Sequence, residues 1–439
     1  MQLSTLLSRA AAVLRGPIAR GSIVGLALRL GGLALMFAQA VIAARLLGAQ
    51  QYGVVTLLLA IAQIATAFAL MGYGSFAIAE IPRGAIQAVF LKHSAKRIAA
   101  LCLIVLPVTY WISISLLGPL VWYLALPLLL SIPVLAGIQL LRGVAVGLGR
   151  AFWGVAPGEV IRPALLVAAL IVCALFAKAS SALFIALYMG TALLALAMAV
   201  PSIRKSSAAT ELPEQSPPSD ARKWDRAALP FLGIHLASIL QLELATLMLG
   251  LFATPESVGL FQPIARISML LTLPSYALSI AFNPRISSLY AQGNVSEISA
   301  LARKHTLAAT CVVTLAGLAI GLCAPYLLWL FGSEFTAAAP LVWFLVAGRI
   351  ALAACGPGAE LLSMTGRSNQ ALACLAVSLA AEAFLAALLI PVYSLTGVAI
   401  AVALGLALRG SFLAATSHST LKIGLAEFWR GEPKLNPSI

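Results

Sequence analysis

The sequence predicts an all-α polytopic membrane protein, with twelve transmembrane helices in two pseudo-symmetric six-helix bundles, and three observations carry that prediction. Of the 439 residues 62% are hydrophobic and 10% charged, whereas soluble domains carry about 25% charge. Mean hydropathy is correspondingly high, at +1.02. One long polar run, residues 201–226 (PSIRKSSAATELPEQSPPSDARKWDR), divides the chain, and its Pro, Ser and charge content suits a solvated linker. Each flanking block has room for six spans of about 20 residues with short turns.

In chain order, residues 1–20 place Arg9, Arg15 and Arg20 among Leu3, Leu6, Leu7 and Leu14, the pattern of a short amphipathic helix on the cytoplasmic surface. A first bundle is expected over 21–200, with spans near 21–44, 54–79, 98–118, 120–141, 158–177 and 181–200. The linker takes 201–227. A second bundle over 228–417 holds spans near 228–252, 258–282, 306–331, 336–362, 369–390 and 395–416, and 418–439 forms a cytoplasmic tail. The first apolar run, Gly21 to Ala44, is too long for a signal peptide and has Arg29 inside it.

Orientation follows from the basic residues. The N-terminus, the even-numbered loops and the C-terminal tail hold 21 of the 28 Lys and Arg, while the odd-numbered loops hold Arg45 and Lys178 alone. Both termini and the linker are therefore expected in the cytoplasm. This asymmetry also accounts for the net charge of +14 without a nucleic-acid partner. Cys102, Cys173, Cys311, Cys323, Cys355 and Cys374 lie in apolar runs, with no C-x-x-C pair and no His at ligand spacing, so no metal site is expected. There is no P-loop, no H-E-x-x-H and no G-x-S-x-G. The chain is thus not expected to be an enzyme or to need a cofactor beyond a possible Na+ or H+ coupling ion.

The two halves resemble each other. Leu47–Val54 joins spans 1 and 2 as Ala253–Leu260 joins spans 7 and 8, each a short polar turn ending in Gly. Basic lead-ins Ala95-Lys96-Arg97 and Ala302-Arg303-Lys304 precede spans 3 and 9, and Gly149-Arg150 and Gly366-Arg367 sit between the fourth and fifth spans of their halves. Two six-span halves in one orientation imply a parallel repeat.

Ala43-Ala44-Arg45-Leu46-Leu47-Gly48-Ala49-Gln50-Gln51-Tyr52-Gly53 resembles the A-R-x-L-G-x-x-x-Y-G turn of bacterial polysaccharide flippases in the multidrug/oligosaccharidyl-lipid/polysaccharide exporter superfamily. The run from Val258 to Ile267 is similar to the second-half V-G-x-Y-x-x-A-x-R segment, with Phe261 in place of Tyr and Pro263 as a departure. Leu389–Tyr393 with Thr396–Ala401 resembles the last hairpin. The resemblance covers nearly the whole chain. It implies a fold around a central cavity, and a flippase that moves a lipid-linked oligosaccharide to the periplasmic leaflet of the bacterial inner membrane. Polysaccharide polymerase and glycosyltransferases are the partners it implies, besides membrane lipids.

Ionisable residues within spans are costly in hydrocarbon and mark functional candidates. Arg29 in span 1 suits either a cavity role or snorkelling. Arg266 in span 8 shares a stripe, at 100° per residue, with Gln262, Tyr276 and Asn283, which suits a cavity wall. Arg349 in span 10 is the remaining substrate-cavity candidate and could pair with Glu382 in span 11. Glu243 in span 7, with His235, Ser238 and Thr246 nearby, and Glu382 are the candidate ion-coupling residues. Glu159 and Arg162 are expected to form an (i, i+3) pair, and Arg409 to snorkel from the last span. The alternatives are a drug or metabolite antiporter of the same superfamily and a non-transporting membrane scaffold.

Overall fold

The computed structural model describes residues 17–83, 87–176, 180–204 and 222–424, with Glu427 and Trp429. Residues 1–16 of the expected surface helix lie outside the described residues, as does most of the linker. The helices bounding that linker reach further into it than expected, ending at Arg204 and resuming at Arg222.

The described residues are almost wholly helical, without strands. Helix α1 (Pro17–Leu70) contains spans 1 and 2, parted at Gly48, and α2 (Tyr73–Glu80) finishes span 2 beyond an interruption at Met71 and Gly72. Span 3 is α3 (Gln87–Leu117), and span 4 is α4 (Trp122–Leu129) with α5 (Ser131–Gly147). Span 5 is α6 (Ala151–Ala156), a π-helical turn (Pro157–Ile161) and α7 (Arg162–Phe176), followed by span 6, α8 (Ser181–Arg204). In the second half α9 (Arg222–Phe252) is span 7, and α10 (Pro255–Met269) with α11 (Thr272–Ala291) is span 8. Span 9 is α12 (Val295–Trp329). Span 10 is broken into a 3-10 stretch (Ser333–Leu341), α13 (Val342–Ala354) and α14 (Gly358–Met364), and α15 (Ser368–Leu421) holds spans 11 and 12 about a break at Ser394.

Ten helical stretches among the described residues are long and apolar enough to cross a membrane. Since α1 and α15 each contain two of the expected spans, this number is consistent with the twelve expected. The repeat is visible in the backbone as well. Gly149 and Gly366, paired by sequence, have φ of 75° and 79°, a left-handed conformation glycine adopts without strain. The second span of each half is interrupted, at 71–72 and at 270–271.

The chain forms two compact units whose limits differ from the expected bundles: described residues up to Leu47 with Leu58–Leu236, and Gly48–Leu57 with Ala237 onward. Residues 222–236 join the first unit because their side chains dock there. Asp225 accepts hydrogen bonds from Tyr73 Oη and, at 2.8 Å, His93 Nε2, and its other oxygen lies 2.6 Å from Arg97 Nη2. Trp224 packs edge-on against Phe90, centroids 5.4 Å apart, and Phe231 lies 5.9 Å from Phe76.

Residues 48–57 join the second unit for a steric reason. A Cβ on Gly53 would lie 1.7 Å from the Pro255 carbonyl oxygen, and one on Gly259 would lie 1.9 Å from that of Ala49. The Tyr52-Gly53 and Val258-Gly259 turns therefore pack backbone against backbone, which only glycine permits. Ala49 N–H adds a hydrogen bond to Glu334 Oε1 at 2.9 Å. Thr254 caps α10 by accepting from Ser257 N–H, with Pro255 in the first turn where its missing donor costs nothing.

Candidate functional site

Each unit holds, among its own helices, a cavity with polar side chains in its wall. In the first unit a cavity of about 190 Å3 is walled by Gly74 and Ser75 of α2, Gln139 and Arg142 of α5, and His235 of α9. Arg142 Nη1 lies 2.6 Å from Glu159 Oε1. Glu159 is thus not paired with Arg162, as the (i, i+3) reading expected. The wide Pro157–Ile161 turn takes Glu159 off the face that carries Arg162, and Arg162 lies instead over the Tyr188 ring, 4.7 Å from its centroid. His235 Nε2 is buried with no hydrogen-bond partner among the described residues.

In the second unit a cavity of about 150 Å3 is walled by Thr272 and Ser275 of α11, His305 of α12, Arg349 of α13, Glu360 of α14 and Arg409 of α15. The Nε atoms of Arg349 and Arg409 and both ring nitrogens of His305 are buried without hydrogen-bond partners among the described residues. Glu360 Oε1 accepts from Ser279 Oγ at 2.9 Å. The expected snorkelling of Arg409 does not occur. Its side chain instead turns into the unit, where it walls this cavity with Nε buried.

Arg349 and Glu382 do not form the direct pair considered from sequence, since no N···O approach within 4 Å joins them. Glu382 acts on both Arg349 and Arg409 electrostatically. It stands against Gly405, where a Cβ would come within 2.7 Å of Glu382 Oε2.

The other candidates fall in two places. Glu243 and Gln262 are buried, Arg266 is half-buried, and Gln262 Nε2 donates to Thr246 Oγ1 at 2.7 Å. Tyr52, 4% exposed, lies in the field of both Glu243 and Arg266, which joins these residues into one polar group. Tyr276 and Asn283 belong to α11, beyond the break. There Leu270, Leu271 and Leu273 donate to carbonyls three residues back, so the 100° phase that placed them on one stripe with Arg266 is not continuous. Tyr276 is exposed, and Asn283 Oδ1 is buried without a described partner. The Arg29 side chain lies outside the described residues. Reading the sequence alone missed Tyr52, His305, Glu360 and Arg409 as site residues; for Glu360 the available signal was a carboxylate inside an apolar run.

The twelve-span, two-unit architecture is that of the MOP-superfamily transporters. The chain is similar to a multidrug resistance MATE family transporter of that superfamily in an inward-facing conformation, at 18% identity over 89% of this chain and 95% of the other, with a TM-score of 0.67. It is also similar to the lipid II flippase MurJ in an inward closed conformation, at 13% identity over 93% and 88%, TM-score 0.69. A MOP superfamily transporter from Pyrococcus furiosus matches at 16% identity over 91% and 94%, TM-score 0.59. By sequence, no curated protein matches. The MatE family profile matches residues 236–388, and the profile of polysaccharide biosynthesis proteins matches residues 18–290, more than half of the chain. The chain belongs to this family of polysaccharide biosynthesis proteins.

Proposed function

We propose that this protein is a flippase that moves a lipid-linked oligosaccharide, a sugar unit on polyprenyl diphosphate, from the cytoplasmic to the periplasmic leaflet of a bacterial inner membrane, with both termini cytoplasmic. The observation that carries the reading is the polysaccharide-biosynthesis profile over residues 18–290; the likeness to a lipid II flippase supports it at the level of fold. The physical problem suits such a protein. A sugar-diphosphate head stripped of water would lose the hydration of every polar and charged group, and protein must supply substitute contacts while the tail stays in lipid.

Arg29 and Arg266 are our cargo-head contacts, because guanidinium keeps its charge and grips an oxyanion with a rigid fork. Glu243 and Glu382 are our coupling residues for a proton or sodium gradient driving alternating access, and a polymerase and glycosyltransferases are the expected partners. A drug or metabolite antiporter is the second reading, favoured by the MatE profile over 236–388.

The test is reconstitution in liposomes with a fluorescent lipid-linked oligosaccharide and, separately, an entrapped cationic dye. Protein-dependent movement of the head group that Arg266→Ala slows about tenfold or more, the loss of one charge-assisted hydrogen bond, upholds the flippase. Dye efflux without head-group movement would install the antiporter instead.

A further inference from the structure

We propose that the cavity inside the second unit is a binding site for a small monocarboxylate, held between Arg349 and Arg409. This inference concerns that unit alone and does not depend on the export reading. Two guanidinium groups from different helices, α13 and α15, wall one cavity of about 150 Å3, room enough for a small guest. Neither approaches a carboxylate within 4 Å among the described residues, and the Nε–H of each is buried with no acceptor. Buried charged donors without acceptors are costly. A guest that offers acceptor oxygens removes that cost.

The charge of the walls selects the guest. Arg349 and Arg409 supply two positive charges and Glu360 one negative, while Thr272 and Ser275 are neutral. One monovalent anion balances this lining, whereas a dianionic phosphate would face Glu360 in excess. Glu360 is held by Ser279 Oγ–H at 2.9 Å, which leaves the guanidinium groups to the guest. Glu382 acts on both arginines as well, but it lies outside the cavity lining and takes none of their donors from the guest. His305 faces Arg349, Arg409 and Glu360 across the cavity, with the Phe282 ring 4.5 Å away. The planar carboxylate matches the guanidinium fork in two parallel hydrogen bonds.

The probe is [14C]formate binding to the purified full chain in detergent, with sulfate, a dianion that the charge of the lining disfavours, keeping ionic strength constant. We expect one saturable site per chain, at least tenfold weaker in Arg409→Met and in Arg349→Met, and tighter in Glu360→Gln, where the opposing charge is gone. A merely structural pair of arginines would not let Glu360→Gln raise formate affinity, and this variant keeps the test decisive if the Met variants fail to accumulate. No saturable formate binding to the wild type, or unchanged affinity in all three variants, overturns the site. Lipid-linked cargo with an acidic sugar displaces formate if the natural carboxylate is the cargo's, and leaves it bound if the guest is a free acid; the site stands in both cases.

Discussion

The two cavities solve the same electrostatic problem in opposite ways. In the first unit Arg142 meets Glu159 at 2.6 Å, both side chains partly solvated at 45% and 29% exposure. In the second unit Arg349 and Arg409 share a wall, and Glu360, the carboxylate beside them, is turned to a serine. A guanidinium already paired with a carboxylate has its charge balanced and calls less strongly for a guest. A pair left open retains unmet donors in low dielectric, where an anion is worth most. The difference separates a cavity whose arginine is paired with a carboxylate from one whose two arginines are not.

The sharpest way to break the comparison is to deform each cavity through the glycine on its fourth span. A Cβ on Gly143 of α5 would lie 1.9 Å from the Gly74 carbonyl oxygen, while one on Gly348 of α13 would lie 2.7 Å from Ala403 Cα. Gly143→Ala should cost about 3 kcal/mol, at the upper end of overpacking penalties, and Gly348→Ala about 2 kcal/mol. Thermal unfolding midpoints in detergent, with membrane levels by blotting, read the ranking. A larger loss in Gly348→Ala would show that the helices around the second cavity, not the first, are the more tightly packed.

How much of this was legible beforehand depended on the range of the signal. Twelve spans, the repeat and the Tyr52-Gly53 and Val258-Gly259 turns could be read because hydropathy and glycine placement are local. The 222–236 boundary could not, since Asp225 meets Tyr73, His93 and Arg97 across long stretches of chain. Arg409 was misjudged because the direction its side chain takes, into the unit rather than along the outer face, is set by packing between distant helices, and the polar stripe through Arg266 failed at a backbone break that Pro274 brings about, having no N–H for the Leu270 carbonyl. Glu159 turned to Arg142 because one π turn changed the periodicity on which an (i, i+3) pairing rests.

A smaller effect separates the two carboxylates. Glu159→Gln removes the charge facing Arg142, and because that pair is partly solvated the loss should be about 1 kcal/mol rather than the several that a fully buried pair would show. Glu360→Gln keeps an acceptor for Ser279 and should stay within about 0.5 kcal/mol of wild type. Chemical denaturation of both variants in one detergent checks this, and equal losses would mean that Glu360 also neutralises an arginine directly.

The least change that still distinguishes the cavities is Ser279→Ala. The hydroxyl lies 2.9 Å from Glu360 Oε1 and 3.0 Å from the Ser275 carbonyl of its own helix, and its single proton is shared between them. Its removal should therefore cost only about 1 kcal/mol of stability. The larger consequence is positional. Without its hydrogen bond Glu360 is released to approach Arg349 or Arg409, converting the open pair into the closed arrangement seen at Arg142. Formate affinity should then fall about threefold, opposite in sign to the gain expected for Glu360→Gln, although both changes act at one contact. The double variant Ser279→Ala/Glu360→Gln should recover the affinity of Glu360→Gln alone, because no carboxylate is left to be released. If Ser279→Ala instead leaves formate binding unchanged while lowering stability, the serine is a packing group and the carboxylate is held away from the arginines by the backbone of α14.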